Sequence, residues 1–398
     1  MEYSVFRIRD ICEIKSGKRL PAEADFVDYK TNRPYIRARD IKDGKIKADN
    51  LAYIEDSVQS KIKKYIINSG DIAITIVGAS VGDVGFALDE VNGFNLTENA
   101  VRLTEFRDMV DSRFLSHLLY QKQYHDYMQL IAGAAAQPKL GIYKIQRIKV
   151  QLPDITVQNR IADILSAYDE LIENNNKRIK ILEQMAENLY KEWFVRFRFP
   201  GHETAGFENG IPKGWALSTE CNSIIPKGWH YGEFGELGKF VRGKNITSAE
   251  MIEGEVPVIS AGLEPSGYHN EANVRGKSLT ISASGANAGY MKYNLDDIWA
   301  ADCSYYQSEK YLWFAYSTLK FLQPVISNLQ CGAAQPHVHP KQINRLSVII
   351  PSADMIHKYC NAVECSFEEI KMLKKKNDNL TRQRDLLLPR LMSGKLEV

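Results

Sequence analysis

Residues 133–153, GAAAQPKLGIYKIQRIKVQLP, have a near-copy at residues 332–351, GAAQPHVHPKQINRLSVIIP. Aligning Gln137 with Gln335 gives an offset of 198 residues (335 minus 137), and the same offset holds through the closing proline of each segment. Each copy is followed by a long, charged pattern of helical period. The chain is therefore predicted to be an internal repeat, in which both halves end in the same loop, strand and helix.

The segments upstream of this loop repeat more weakly. SGDIAITIVGASVGDVGF, residues 69–86, resembles RGKSLTISASGANAGYM, residues 275–291, and RPYIRARDI resembles VPVISAGLE. β-Branched residues flanked by Gly and Pro predict short strands in DIAITIV, KSLTISAS, RIKVQLP and RLSVIIP. Residues 112–133 predict one helix. Each half is thus expected to contain an α+β domain of about 150 residues.

Composition limits the classes of protein to which the chain can belong. Its 398 residues are 44% apolar and 25% charged with a net charge of +2, which is typical of a globular protein of two or more domains. An anionic partner therefore needs a local cluster of Lys and Arg. The six cysteines show no metal or disulfide spacing, and no apolar run approaches the length of a membrane span. We expect a cytoplasmic protein without metal or membrane contact.

Two long segments, from Val157 to Phe197 and from Met355 to Met392, have apolar residues three and four positions apart. The first apolar stripe consists of Val157, Ile161, Ile164, Leu165, Tyr168, Leu171, Ile172, Ile179, Leu182, Met185, Leu189 and Trp193. A helix of about 40 residues is about 60 Å long, and its stripe needs a partner. We predict that the two helices pack as an antiparallel coiled coil between two pseudo-twofold-related α/β domains.

An antiparallel pair whose opposed residue numbers add to 552 has the most favourable predicted register. This sum places Trp193 opposite Tyr359 and Asn175 opposite Asn377. A shift of one heptad either way, to 545 or 559, would place an Asn opposite an Ile or Leu and leave a polar amide unpaired in an apolar seam. Because a buried Asn pair fixes register in coiled coils, Asn175 and Asn377 are the predicted register residues.

Such an arrangement would hold two globular readers at a fixed distance. One turn of duplex DNA is about 34–36 Å, so paired readers select two half-sites with a defined gap. The helical segments are similar to each other whereas the globular segments have diverged. The pattern therefore predicts recognition of an asymmetric, bipartite target in double-stranded DNA.

Basic and amide side chains on loops are the expected DNA contacts, since Arg and Lys bind phosphate or guanine and Asn or Gln binds adenine. The candidates in the first half are Lys15, Lys18, Arg19, Arg37, Arg39, Lys42, Lys63, Ser80, Gln137, Lys139 and Tyr143. The candidates in the second half are Arg242, Lys244, Asn245, Ser260, His269, Ser284, Asn287, Gln335, His337 and His339. For each single side chain, ordinary solvation is the alternative. The two histidines of HVHP, residues 337–340, could also suggest a metal site. Because no third ligand lies nearby in the sequence, we expect a turn that contacts DNA or solvent.

The sequence offers one candidate for catalysis. GASVG, residues 78–82, matches the G-x-S-x-G pattern of a nucleophile elbow. No helical pattern follows it, however, and the aligned second copy places Ala286 at the position of Ser80. No Asn-Pro-Pro-aromatic tetrapeptide and no phosphate loop occurs. We therefore expect residues 78–82 to form a turn. We expect the chain as a whole to be noncatalytic and to bind no cofactor. A coiled-coil scaffold that binds protein instead of DNA is the alternative.

The two Gln-Pro loops, together with QLPDITVQNRIADILS and IIPSADMIHKYCNAV, resemble the specificity subunits of type I restriction-modification systems over essentially the whole chain. IPKGW, at 211–215 and again at 225–229, is similar to the lead-in of the second recognition domain in that family, although its doubling is a departure. The resemblance implies a DNA-recognition subunit that docks two methyltransferase subunits and restriction translocase subunits. S-adenosylmethionine, ATP and Mg would be bound by those partners.

These patterns give a predicted domain organisation. It comprises a first target-recognition domain (1–153), a long helix (154–198), a linker (199–224), a second target-recognition domain (225–351), a second long helix (352–392) and a tail (393–398). The doubled IPKGW leaves the start of the second domain open between 211 and 225. Charged residues on the helices are candidates for docking the partner subunits, with solvation as the alternative. They are Lys177, Arg178, Lys180, Glu183, Glu187, Lys371 and Lys374 to Lys376.

Overall fold

The computed structural model describes residues 2–134, 137–204, 207–208, 211–212, 214–218, 223–330 and 336–398. The chain forms two compact units. The first unit consists of Met1–Glu173 and Asn377–Val398, and the second unit consists of Asn174–Lys376. Both units combine short strands with helices. The predicted α+β fold class is confirmed.

The first unit is built around a six-stranded sheet. The strands of the first unit are β1 (Ser4–Arg7), β2 (Glu13–Ser16), β3 (Pro34–Ile36), β4 (Ile41–Lys42), β5 (Gly44–Ile46), β6 (Ala52–Tyr53), β7 (Ile72–Thr75), β8 (Val84–Phe86), β9 (Asn95–Leu96), β10 (Ala100–Thr104) and β11 (Lys149–Leu152). The sheet has the order β2-β10-β7-β8-β5-β4. β10 runs antiparallel to both β2 and β7, whereas β3 and β9 form a parallel pair.

Most helices of the first unit share an apolar core with this sheet. The helices are α1 (Ile8–Ile11), α2 (Asp56–Ile62), α3 (Ser112–Tyr120), α4 (Lys122–Ala132), α5 (Ile142–Ile145) and the first part of the long α6 (Ile155–Tyr190). Ile62 of α2 packs instead in a separate cluster with Tyr35 and Ile54.

The single helix predicted over 112–133 is wrong, because the chain leaves the helical conformation at Gln121, with ψ 144°. The break redirects α4 so that Met128 packs into the same core as Phe114. Tertiary packing overrides the local helical pattern here.

The second unit repeats the main strand pairings of the first, without counterparts of β4 and β5 in its described residues and with additional strands between residues 207 and 226. Its strands are β12 (Phe207–Glu208), β13 (Ile211–Pro212), β14 (Trp215–Ser218), β15 (Ser223–Pro226), β16 (His230–Glu233), β17 (Val241–Arg242), β18 (Val256–Ile259), β19 (Gly267–His269), β20 (Ser278–Ser282), β21 (Met291–Asn294), β22 (Trp299–Ala300), β23 (Cys303–Tyr306) and β24 (Ser347–Ile350). Its helices are α7 (Leu312–Phe321), α8 (Gln323–Ser327), α9 (Pro340–Asn344) and most of α10 (Ala353–Met392).

Sheet topology confirms the repeat. The order β17-β23-β20-β21 matches β2-β10-β7-β8, and the parallel pair β18–β22 matches β3–β9. The antiparallel pair β16–β24 likewise matches β1–β11. The four strands predicted from sequence are present as β7, β11, β20 and β24.

The two long helices exist close to their predicted bounds. One π-helical turn, Lys191–Val195, extends α6. In the second unit the two helices run antiparallel: Arg178 forms an ion pair with Glu369, and further along α6 the Trp193 ring lies 5.9 Å from that of Tyr359. Residue numbers therefore rise along one helix as they fall along the other. The Trp193–Tyr359 contact has the predicted sum of 552.

Some residues of the predicted apolar stripe are solvent-exposed. The side chains of Leu171 and Met185 are 46% and 57% exposed, whereas Ala186 and Tyr190 are buried. The reason is that a straight helix of 3.6 residues per turn drifts by about 20° per heptad against a 3.5-residue seam. Asn175 is buried. Its pairing with Asn377 stays a prediction.

Several charged residues proposed to dock partners make contacts inside the second unit. The Tyr293 hydroxyl donates to the Glu183 carboxylate, and the Lys374 ammonium lies 4.2 Å from the centroid of the Tyr293 ring. Lys371 forms an ion pair of 2.5 Å with Asp296. These side chains therefore stabilise the packing of both long helices on the second unit.

The C-terminal end of α10 belongs to the core of the first unit. Leu388 and Leu391 lie in the same apolar cluster as Ile161 and Leu165 of α6. Gln158, near the start of α6, is buried; its amide donates to the Pro153 carbonyl oxygen at 2.9 Å. Both ends of the chain contribute to this fold.

A partly buried ion cluster joins α10 to the rest of the first unit. The Arg384 guanidinium donates to the Asp169 carboxylate at 2.6 Å, and the Lys45 ammonium lies 3.7 Å from the same carboxylate. The His117 imidazole is 3.9 Å from Asp169. The pKa of His117 is lowered to about 4, chiefly by burial; the positive charges of Arg384 and Lys45 contribute to the lowering, and Asp169 opposes it.

The buried His117 predicts acid sensitivity. The unfolded imidazole has a pKa of about 6.5, so below that pH the unfolded chain binds the proton that the folded one excludes. This contribution to stability is complete above pH about 6.5 and is lost as pH falls toward 4, with about 2 kcal/mol lost between pH 7.5 and 5. His117→Gln should reduce the pH dependence of the free energy of unfolding, measured by urea unfolding at several pH values. The exposed His357→Gln should leave it unchanged; an equal effect of both substitutions would contradict the assignment.

The doubled IPKGW segments form parts of two hairpins. β12 pairs with β13, and in the β14–β15 pair Trp215 lies opposite Pro226. Trp229 is buried, with its ring 5.2 Å from that of Phe199. β16, which matches β1, begins at His230, directly after the second copy. The predicted limits of the linker and of the second domain remain predictions.

Candidate nucleic-acid interface

In each unit the Gln-Pro loop is held against a glycine-rich loop. In the first unit these are the Gln-Pro loop, residues 137–140, and the glycine loop, residues 78–82. The Gly78 N–H donates to the Pro138 carbonyl oxygen at 3.2 Å. Gly78 has φ +97°, a conformation that favours glycine. The doubled motif therefore fixes the position of a neighbouring loop.

The second unit has the same arrangement. Its glycine loop is residues 285–289, and the described part of its Gln-Pro loop is residues 336–339; Gln335 lies outside the described residues. The Gly285 N–H donates to the Pro336 carbonyl oxygen at 3.1 Å. The two glycine loops thus occupy equivalent places in their units.

Backbone hydrogen bonds also give the alignment of the glycine loops. The Asp83 N–H donates to the Ser80 carbonyl oxygen at 3.0 Å, and the Tyr290 N–H donates to the Asn287 carbonyl oxygen at 2.9 Å. Ser80 therefore corresponds to Asn287. The sequence alignment that placed Ala286 at this position is wrong by one residue, because it did not pair the turn-forming glycines.

A Gly-Lys turn follows the first strand of each central sheet. The Gly17 N–H donates to the Ala100 carbonyl oxygen at 3.1 Å, and the Lys18 N–H donates to the Leu96 carbonyl oxygen at 2.9 Å. Lys18 and Arg19 are exposed at this turn. The turn is therefore fixed on the chain segment that enters β10.

The second unit has the same turn at residues 242–245. The Gly243 N–H donates to the Cys303 carbonyl oxygen and the Lys244 N–H to the Ala300 carbonyl oxygen, both at 2.9 Å. The Lys244 ammonium lies 5.9 Å from the centroid of the Trp299 ring. Asn245 is exposed. Lys18 and Lys244 are thus structural equivalents.

These loops lie at one edge of each unit. β10 is antiparallel to β2 and β7, so its amino-terminal end meets their carboxyl-terminal ends, and β23 is related to β17 and β20 in the same way. We call this surface the loop edge. In the first unit it comprises residues 16–19, 78–82, 96–99 and 137–140, and in the second unit residues 242–245, 284–289, 300–302 and 336–339.

Arginine side chains extend the loop edge of the first unit. Arg19, Arg37 and Arg39 line a cleft of about 770 Å³ together with Asn99. The Arg37 guanidinium makes two hydrogen bonds with the Asp40 carboxylate, at 3.0 and 3.1 Å. Arg19 and Arg39 are exposed, with 83% and 67% of their side chains accessible. Arg19 lies 3.6 Å from the Glu98 carboxylate and Arg39 lies 3.9 Å from the Asp40 carboxylate, so both are weakly paired but remain accessible to an anionic ligand, whereas Arg37 is paired more closely and is less exposed.

The remaining candidates of the first unit divide into two groups. Gln137, Lys139 and Tyr143 are exposed on or beside the Gln-Pro loop. Lys63 is exposed at the end of α2. The other two candidates lie elsewhere: Lys15 forms ion pairs with Glu13 and Glu105, and Lys42 lines a separate cleft beside α3 and α4.

Two of the histidine candidates of the second unit, His337 and His339, lie on its loop edge, whereas Ser260 and His269 lie outside it. The rings of His337 and His339 lie 6.3 Å apart and nearly parallel. The Ser260 and Ser266 hydroxyl groups form a hydrogen bond of 3.0 Å. His269 is buried, and its Nδ1 accepts a hydrogen bond from a backbone N–H, so it is a packing residue and not a surface contact.

Asp302 is a functional candidate that the sequence reasoning missed. Its carboxylate accepts hydrogen bonds from the Arg242 guanidinium and from the Ser284 hydroxyl. The first unit has Asn99 at the equivalent place. The signal in the sequence is position: Asn99 and Asp302 are the residues immediately before β10 and β23.

The loop edge has no catalytic arrangement in the described residues. After Ser80 the chain turns directly into β8 and not into the helix that a nucleophile elbow requires. Within the described ranges, no cluster of three or more His, Cys, Asp or Glu side chains is suited to hold a metal ion. What the edge offers is exposed cations, amides and hydroxyl groups on loops fixed by backbone hydrogen bonds. These are the groups that bind phosphates and base edges.

Comparison with known proteins identifies the family. The model of the type I restriction modification DNA specificity domain matches residues 1–184 and 226–380. The chain belongs to this family. The two matched segments of this specificity subunit correspond to the two repeats, and each contains a glycine loop and a Gln-Pro loop.

Relatives of the specificity subunit match over nearly its whole length. It is 26% identical to the type I restriction enzyme MjaIX specificity subunit of Methanocaldococcus jannaschii, over 100% of this chain and 94% of that relative. It is 22% identical to the type I restriction enzyme HindI specificity subunit of Haemophilus influenzae, over 96% of this chain and 97% of that relative. The resemblance inferred from the doubled loop is confirmed.

A solved structure has a similar fold. The specificity subunit matches the crystal structure of a type I restriction-modification S subunit from M. genitalium with a TM-score of 0.58. The match covers 98% of this chain and 96% of that one at 19% identity. Among the residues that the structure describes, no helix is long and apolar enough to span a membrane.

Proposed function

We propose that this specificity subunit is the noncatalytic DNA-reading component of a type I restriction-modification complex and recognises an asymmetric, bipartite target in duplex DNA. Its family membership supports the role in the complex. The observation that carries the DNA-reading role is that both units present the same loops, held by equivalent hydrogen bonds, at the same edge of equivalent sheets. Each loop edge is the reader of one half-site.

The side chains on the two edges support asymmetry. Lys139 on the first Gln-Pro loop corresponds to His337 on the second, because Val77 pairs with Lys139 as Ser284 pairs with His337. Arg19 similarly corresponds to Asn245. Since base readout depends on the identity of such side chains, the two half-sites differ in sequence.

The proposal assigns the chemistry to partner subunits. Two methyltransferase subunits and restriction translocase subunits dock on this chain. Those partners bind S-adenosylmethionine, ATP and Mg. This complex works in the cytoplasm. Each long helix contains residues of both units, which supports a further part of the proposal: the helix pair fixes the gap between the half-sites.

Salt dependence tests the DNA contacts. Lys18→Gln and Lys244→Gln, each in the complex with methyltransferase subunits, should weaken binding to all duplexes and reduce the slope of log affinity against log salt by about one. The lysines are equivalent, so the effects should be similar. Lys310→Gln is the control, because this exposed lysine follows the opposite end of β23. Salt-independent binding, or no binding of duplex DNA by the wild-type complex, would contradict the proposal.

Mapping of methylated sites in cells that contain the complex tests the bipartite target. The expected motif has two unlike half-sites separated by a gap of constant length. A continuous palindrome is the result that would refute paired readers at a fixed spacing.

A further inference from the structure

The residue before the central strand occupies the middle of each loop edge. In the first unit the Ile76 N–H donates to the Asn99 carbonyl oxygen at 2.8 Å, and in the second unit the Ala283 N–H donates to the Asp302 carbonyl oxygen at 3.4 Å. The next residue in each chain segment accepts from the glycine of the Gly-Lys turn. Asn99 and Asp302 therefore lie between the glycine loop and the Gly-Lys turn.

The Asp302 side chain is fixed by hydrogen bonds but remains partly exposed to solvent. One carboxylate oxygen accepts from the Arg242 guanidinium and the other from the Ser284 hydroxyl. Ser284 is buried, whereas the Asp302 side chain is 31% exposed. Each carboxylate oxygen has two lone-pair directions, so the exposed side of Asp302 retains acceptor capacity.

A carboxylate at this position can make only a few kinds of favourable contact with DNA. It repels phosphate, so its compatible contact is a hydrogen-bond donor on a base edge. In the major groove that donor is the cytosine N4 amino group, which Asp and Glu accept from, whereas a neighbouring Arg binds guanine O6 and N7. The Arg242–Asp302 pair thus matches an edge that presents both guanine acceptors and a cytosine donor.

The first unit carries a different group at the equivalent position. Asn99 lines the cleft of Arg19, Arg37 and Arg39. An Asn amide both donates and accepts, and its bidentate partner in the major groove is adenine N7 and N6. The same backbone position therefore presents chemistry for cytosine in one unit and for adenine in the other.

We propose that Asp302 and Asn99 are specificity-determining residues: Asp302 accepts a hydrogen bond from a cytosine in the half-site of the second unit, and Asn99 binds an adenine in the half-site of the first. This inference rests on the proposed DNA-reading function. Asn and Asp are nearly isosteric, so exchanging them changes the donor and acceptor pattern with little change in shape.

Reciprocal exchange is the test. Full-length Asp302→Asn and Asn99→Asp chains, each in complex with methyltransferase subunits, are compared with wild type by mapping methylated sites. Asp302→Asn should change one position of one half-site from cytosine to adenine or to relaxed recognition, and Asn99→Asp should change one position of the other. Discrimination at each position should shift by about 10-fold or more. Glu309→Gln, at an exposed position beyond the far end of β23, should leave the motif unchanged.

A substrate analogue avoids any effect on folding. The wild-type complex is given duplexes in which 2-pyrimidinone, which lacks the N4 amino group, replaces one cytosine at a time. Affinity should fall about 10-fold or more at the position that Asp302→Asn alters. An unchanged motif in Asp302→Asn, or full affinity at every substituted cytosine, overturns the inference while wild-type DNA binding stands. Failure of the wild-type complex to bind duplex DNA overturns the proposed function itself.

Discussion

Gly17→Ala is expected to lower the free energy of unfolding of the specificity subunit by about 3 kcal/mol. A methyl group at Gly17 would lie 1.9 Å from the Thr97 carbonyl oxygen, which is part of the backbone. The clash is hard to relieve, because backbone hydrogen bonds from Gly17 and Lys18 hold the two segments together. Urea unfolding followed by circular dichroism measures the loss.

Two further glycines make this prediction specific. Gly243→Ala should have a similar effect, since its methyl group would lie 2.5 Å from the Ala301 carbonyl oxygen. Gly78→Ala is the matched control: nothing lies within 4 Å of its added methyl group, and only the positive φ of +97° opposes it, at about 1–2 kcal/mol. If Gly17→Ala is as stable as Gly78→Ala, or more stable, then the close approach of Gly17 to the Thr97 carbonyl oxygen does not constrain this position.

Arg384→Met is expected to destabilise the first unit by about 2–4 kcal/mol. The substitution keeps the apolar contact of the side chain but removes the guanidinium that donates to Asp169 at 2.6 Å. The mostly buried Asp169 carboxylate then retains only the more distant Lys45 and His117. The exposed Arg382→Met is the control, and equal unfolding free energies of the two variants would refute the role of the ion cluster.

The same variant should change the pH dependence of stability. Arg384 lowers the pKa of His117 by charge repulsion, in addition to the larger effect of burial, and Asp169 raises it. Without Arg384, the pKa of His117 should rise toward its ordinary value. Less of the unfolding free energy should then be lost between pH 7.5 and 5. NMR titration of the His117 ring measures the shift directly.

Repetition made much of the fold predictable from sequence. The doubled Gln-Pro loop, the strands that follow it and the two long helices are local patterns, since periodicity and turn residues are read from neighbours along the chain. For the same reason Lys18 and Lys139 were found as candidates: each is a basic residue beside a glycine or proline turn. The family resemblance depends on these features alone.

Contacts between distant segments decided the rest. The helix predicted over 112–133 breaks at Gln121, and Asp302 joins Arg242 at the loop edge; in neither case can the contact partner be read from neighbouring residues in the sequence. The end of α10 completes the core of the first unit for a similar reason. The sequence by itself determined which elements form and that they form twice, because propensity and pattern are local. The tertiary structure alone decided which side chains share an edge, because that depends on hydrogen bonds between strands far apart in the chain.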